Sequence, residues 1–128
     1  MPEAIVEANK YLIGDASSWR EGERQFTEIM GREVGVFAVD GGFVAFENVC
    51  PHSGGPVCRG RVMPAVKAEI AADGTYHGER SDDANPRLAC PWHGWEFELR
   101  TGRCIGASQR RLRAYDVIIE EGKVYVVA

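Results

Sequence analysis

Long hydrophobic runs are missing from this sequence, and so is any excess of positive charge. No apolar stretch approaches the roughly 20 residues that a helix needs to cross a bilayer, so no membrane association is expected. The opening residues, Met1-Pro-Glu-Ala-Ile-Val-Glu-Ala-Asn-Lys10, have neither a basic start nor an apolar core, and the chain is expected to be cytoplasmic. Lysine and arginine number 15 against 19 acidic residues, a net charge of −4, which excludes nucleic acid as an expected partner. Helical periodicity, internal repeats and low-complexity tracts are lacking as well. What remains is an ordinary globular composition, 45% hydrophobic and 27% charged, in 128 residues. That is the size of one domain with a core of its own.

Cysteine is sparse, but its placement is informative. In an exported chain, four cysteines would suggest disulfides. Here there is no export signal, and two of the four alternate with histidines at ligand spacing, so metal binding explains them better. Cys50-Pro51-His52 and Cys90-Pro91-Trp92-His93 each place a thiol and an imidazole on one tight turn that opens onto glycine. Two such loops make a four-ligand site. Zinc accepts two cysteines and two histidines, although structural zinc motifs usually pair like ligands, whereas each loop here mixes them. Cys58 and Cys104 read as small buried or half-buried thiols.

Around these loops the sequence alternates in short strands. Tyr11–Gly14, Gln25–Met30, Glu33–Val39 and Phe43–Phe46 form an expected antiparallel meander, with Asp40-Gly41-Gly42 supplying the positive φ of a hairpin turn. Trp19, in a short polar segment, is expected to plug the core. Arg87–Ala89 should enter the second ligand loop and Trp95–Leu99 leave it, and Leu112–Glu120 with Lys123–Ala128 should close the fold as a hairpin across Glu121-Gly122. The expected fold class is all-β.

The motifs, running as Cys50-Pro-His52-Ser-Gly-Gly-Pro56 and Cys90-Pro-Trp-His93-Gly-Trp95-Glu-Phe97, closely resemble the cluster-binding signature of Rieske 2Fe-2S proteins, and the match to their ferredoxin branch extends from about Tyr11 to the C-terminus. The resemblance implies a Rieske-like antiparallel β-sandwich, residues 1–128 as a single domain, with a small cluster-binding subdomain over about 48–102. It implies one 2Fe-2S cluster with Cys50 and Cys90 on one iron and His52 and His93 on the other. Two ferric ions, two sulfides, two thiolates and neutral imidazoles sum to zero charge. Such a centre accepts an electron more readily than an all-cysteine cluster.

High-potential members of the family carry a serine and a tyrosine where this chain has Trp95 and Phe97, and a loop-to-loop disulfide where it has Gly55 and Trp92. With fewer donors to the cluster, the potential is expected towards the low end of the family range, near roughly −150 mV. Trp92 and Trp95 are expected to cover the cluster. The family's proline-containing third loop is matched only by Gly106-Ala107-Ser108.

The span from 53 to 89 is longer than the family usually spends between its loops, which implies an inserted lobe over about 62–86. Val66–Glu79 alternates about Asp73-Gly74 as a hairpin, Glu79–Pro86 reads as an exposed acidic loop, and His77 is expected to face solvent. The resemblance implies a one-electron carrier with no catalytic machinery of its own, taking electrons from a flavin-dependent reductase and giving them to an oxygenase. The alternatives are the small Rieske-like subunit of a nitrite reductase, a redox sensor, or a zinc-stabilised interaction module. Arg100, Arg103, Arg110, Arg111 and Arg113 follow the second ligand loop with no acid among them, either as a steering patch or as a solvated face.

Overall fold

The computed structural model describes residues 9–106 and 109–128, and for residues 66–68 and 79–84 it describes the backbone alone. Among the described residues, nine antiparallel strands form two sheets. The larger holds β1 (Lys10–Asp15), β2 (Arg24–Ile29), β3 (Arg32–Val39), β4 (Gly42–Glu47), β8 (Ala114–Glu120) and β9 (Lys123–Val127), in the order β1-β9-β8-β4-β3-β2. The smaller is β5 (Arg61–Ile70), β6 (Tyr76–Ala89) and β7 (Glu96–Glu98) in sequence order. Two short 3-10 turns, Ala16–Ser18 and Val57–Arg59, complete the regular structure of the described residues. Among the described residues there is no α-helix, and no helix long and apolar enough to cross a membrane.

The expected meander and closing hairpin are present, each strand within about two residues of its expected bounds. Strand β3 explains why its sequence reads as one apolar run. Val34 and Val36 enter one core with Ile29, Ala45 and Val126, while Phe37 and Val39 enter a second core with Phe46, Leu88, Phe97 and Leu99. A strand buried on both faces has no polar side to show. The first core joins side chains of β2–β4 to those of β1, β8 and β9, which requires the large sheet to curl over itself. Trp19 packs against this core, edge-on to Phe43 at 5.1 Å, as expected of a plug.

The second core also contains Cys50, Cys58, Cys90 and Cys104, so the ligand loops grow directly out of packed interior. Phe37, Phe46 and Phe97 are each essentially fully buried there, worth roughly 1.5–3 kcal/mol apiece. Cys58 and Cys104 are buried, as expected of small core thiols.

One expectation is corrected. Glu79–Pro86 is not a loop: β6 continues through it, paired to β5 at Ala68↔Glu79, Lys67↔Arg80, Val66↔Ser81 and Ala65↔Asp82. Once Asp73-Gly74 turns the chain, the ladder satisfies backbone donors and acceptors whatever the side chains are. The register slips between Pro64 and Ala65, where Pro64 faces Pro86 and neither has an N–H to give. His77 is exposed, as expected.

Candidate metal centre

The two Cys-His loops are built on the same hydrogen-bonded frame. In the first, the N–H of Cys50 donates to the carbonyl of Gly55 (2.8 Å) and the N–H of Gly54 donates to the carbonyl of Cys50 (2.8 Å). In the second, Cys90 N–H donates to Trp95 (2.8 Å) and Gly94 N–H to Cys90 (2.9 Å). Gly54 and Gly94 take matching φ values of 77° and 73°, a left-handed corner that side-chain-bearing residues resist. Each loop therefore turns back on its own cysteine. The imidazole comes two residues after the cysteine in one loop and three after it in the other.

This frame separates the four side chains by chemistry. Cys50 and Cys90 are 1% and 2% exposed, whereas His52 and His93 are exposed. The two imidazole rings stand edge to face with centroids 5.4 Å apart. Burial is the largest single influence on the Cys50 thiol and acts against its ionised form. The backbone N–H groups of Ser53 and His52, the Ser53 hydroxyl and the Cys90 thiol outweigh it, so Cys50 is held below its ordinary pKa. Among the described residues no three donors converge on a point that a single ion could occupy. The thiols instead approach each other on the buried side and the imidazoles on the open side. That split matches a two-iron centre with sulfur ligands inward and nitrogen ligands outward.

Neighbouring side chains hold this arrangement. The Trp95 indole stacks on the His52 ring, with centroids 3.9 Å apart and planes 10° from parallel. Half-buried, it covers the first histidine. Arg110 also reaches this ring pair: its guanidinium is 5.7 Å from the Trp95 centroid, and its Nη1 donates to the Pro51 carbonyl at 3.4 Å. Trp92 is 58% exposed and rests on Gly55, joining one loop to the other. Ser53 Oγ accepts the Gly55 N–H at 3.2 Å and lies 3.7 Å from Cys90 Sγ, so its own proton is free to point at sulfur.

The first loop is also tied to the large sheet. Asn48, buried just before Cys50, accepts the Cys58 N–H through Oδ1 (2.7 Å) and donates through Nδ2 to Glu33 (2.5 Å). Glu33 in turn pairs with Arg59 at 3.1 Å, and Arg59 lies 4.1 Å over the Phe26 ring. The Asn48 amide first, and Arg59 second, hold the Glu33 carboxyl below its ordinary pKa. Arg24 reaches from β2 to the carbonyls of Cys58 (2.7 Å) and Gly60 (2.6 Å), capping the Val57–Arg59 turn.

Sequence reasoning missed Ser53 and Asn48 as parts of the site, and it placed Arg110 only in a patch read either as steering or as a solvated face. A hydroxyl directly after a ligand histidine and an amide two residues before a ligand cysteine were the available signals for the first two. The sequence signalled Arg110 only as one of a run of arginines, because its contact with the first loop spans 59 residues of chain.

A family model for the Rieske [2Fe-2S] domain matches residues 9–116. The chain belongs to this family. The Rieske domain is one that carries a 2Fe-2S cluster, and the donors present here fit it: two inward thiols, two outward imidazoles, and N–H groups aimed at sulfur. Among curated relatives, the ferredoxin subunit of 3-phenylpropionate/cinnamic acid dioxygenase from Photorhabdus laumondii is 25% identical, over 73% of this chain and 71% of its own length. Among solved structures, a chain of the complex between reduced oxygenase and oxidised ferredoxin in carbazole 1,9a-dioxygenase shares the fold at a TM-score of 0.67, with 22% identity and 93% of each chain covered. A chain assigned as the small subunit of an NADH-dependent nitrite reductase from Mycobacterium tuberculosis does so at 0.66, with 20% identity, covering 93% of this chain and 94% of that one. Both structures support the Rieske fold, with its antiparallel β sheets.

Proposed function

We propose that this protein is a one-electron carrier, a Rieske-type ferredoxin in which Cys50 and Cys90 hold one iron and His52 and His93 the other. The observation that carries the reading is the burial split: both thiols lie inside the core and both imidazoles stand at the surface. When bound, the cluster supplies a reversible one-electron couple. The chain's own residues do the rest. Phe97, Leu99 and Cys104 pack around the thiols and keep water from the sulfur side, Trp95 fixes the plane of His52, and the exposed histidine edges leave the shortest way out for an electron. We read the chain as a single domain with its cluster-binding subdomain over about 48–102 and the β5–β6 hairpin as the insertion over about 62–86.

All four ligands of this centre come from the chain, which leaves no open coordination position for a substrate. A carrier needs none, and its partners would be a flavin-dependent reductase and an oxygenase, in keeping with the ferredoxin relative. All four donors are present and gathered in one place, which favours a carrier over a Rieske-like subunit that has lost its ligands.

Reductive titration of purified holoprotein tests the reading. The visible absorption of a Rieske centre should bleach after one electron per chain and return on reoxidation. A colourless protein that contains zinc, or one in which Cys90→Ser or His93→Ala leaves the spectrum untouched, contradicts it.

A further inference from the structure

The arginines that follow the second ligand loop do not behave alike. Arg100 is paired with Asp40 at 2.9 Å, and Arg113 is 3.9 Å from Glu47. Arg103, Arg110 and Arg111 are exposed, and among the described residues none of them has a carboxylate partner. Backbone pairing brings them together. Cys104 bridges to Phe97 of β7, and Arg103 bridges antiparallel to Arg111, so two guanidinium-bearing residues stand directly opposite each other on an added pair of short segments. Like charges in that relation are destabilising. Glu98 faces Arg103 from β7, but its carboxylate accepts the Thr101 hydroxyl at 3.4 Å. Arg110, next along, is fastened over Trp95 and onto the Pro51 carbonyl. Trp95 lies against His52.

A chain of net charge −4 thus presents three cations that have no carboxylate partner among the described residues, and Arg110, through Trp95, ties that group to the exposed His52. We propose that Arg103, Arg110 and Arg111 form the docking face for an acidic surface of the redox partner, which brings that partner onto the histidine edge of the centre. This rests on the carrier reading and adds to it the sign of the partner's charge. An acidic partner relieves the Arg103–Arg111 opposition on binding, and the patch raises the encounter rate at low salt.

Charged one-electron oxidants replace the unidentified partner in the test. Reduced holoprotein is mixed with hexacyanoferrate(III), an anion; one electron passes to it, giving hexacyanoferrate(II), and no proton is needed. With a local cationic patch at the exit, the rate falls by about tenfold as ionic strength rises, because screening removes an attraction. Net charge alone gives the opposite sign, a rate that rises with salt. Arg103→Gln, Arg110→Gln and Arg111→Gln together should invert the trend, and Arg111→Gln alone should flatten it.

Lys123→Gln removes the same charge from the far end of the β8–β9 hairpin, about 20 Å from Ala114, and should leave the wild-type trend in place. A second readout is independent of electron flow: the wild type should be retained on a sulfonate cation-exchange column at pH 7 and low salt, and the triple variant should not. A wild-type rate that rises with salt, or an Arg111→Gln slope equal to that of the wild type, overturns the proposal. Absence of a reducible centre before mixing would instead overturn the carrier reading.

Discussion

The indole of Trp92 lies across the Cα of Gly55, so close that a methyl group on Gly55 would sit 2.7 Å from Trp92 Cδ2 and 2.8 Å from Cγ. Here the tips of the two ligand loops meet through a side chain and bare backbone. In high-potential members of the family these two positions carry the loop-to-loop disulfide. Here a glycine and a tryptophan make the contact without a covalent bond.

The Gly55→Ala variant should therefore push Trp92 off the first loop. The contact distance implies overpacking of about 1–3 kcal/mol, or an indole swung fully into solvent. Either way the loops part more readily, and the visible absorption should decay faster on heating than in the wild type. Trp92→Ala in the same chain removes the clash, so the double variant should lose its centre more slowly than additivity predicts.

Ser53 bears on the potential. Its hydroxyl, 3.7 Å from Cys90 Sγ, is a donor that the comparison of Trp95 and Phe97 with a serine and a tyrosine left out. Donation to sulfur stabilises the reduced centre. Ser53→Ala should lower the midpoint potential by about 40 mV, the equivalent of one neutral hydrogen bond of about 1 kcal/mol for a one-electron couple. An unchanged or higher midpoint in protein-film voltammetry would show that this hydroxyl donates elsewhere.

The Glu33 carboxyl predicts how the first loop responds to acid. The Asn48 amide and Arg59 stabilise its ionised form, so its folded-state pKa lies below its unfolded value. The corresponding stability is present above the unfolded pKa and disappears as pH falls through the folded one, in a window that opens at about pH 4 and extends downwards. Glu33→Gln should remove this component. Its unfolding midpoint should fall less steeply with acid than that of the wild type between about pH 5 and pH 3. Parallel profiles would mean that the Asn48–Glu33–Arg59 network does not couple the loop to the sheet.

Cys58 should resist alkylation. Burial pushes its thiol up to about 12, against the opposing pull of the Gly35 N–H and Arg24. At pH 8 almost no reactive thiolate exists, and Cys58 is fully buried besides. Iodoacetamide followed by peptide mass spectrometry should find Cys58 unmodified in the folded holoprotein and modified once the chain is unfolded. Rapid labelling of folded protein would contradict the packing described for it.

Much of this protein can be read without coordinates. Alternation and Gly-containing turns place the strands of the larger sheet, because period-two burial and positive φ are local properties. The spacing of Cys50, His52, Cys90 and His93 proposes the ligand set for the same reason, since a thiol and an imidazole on one short turn can reach only a nearby metal. Residues 79–86 misled because their charges suggest a loop, while the ladder that captures them belongs to β5.

What the linear order could not contain is every contact made at long range. Five arginines look alike in sequence, and only the positions of Asp40 and Glu47 separate the paired Arg100 and Arg113 from the three that have no carboxylate partner among the described residues. Whether Trp95 stacks on His52, whether Trp92 rests on Gly55 and whether Ser53 meets Cys90 depend on how one loop is set against the other. Composition and spacing determined the chemistry available to this chain. Packing of the two sheets around a shared core decided which of those groups face each other, because those approaches are set by excluded volume and burial rather than by distance along the backbone.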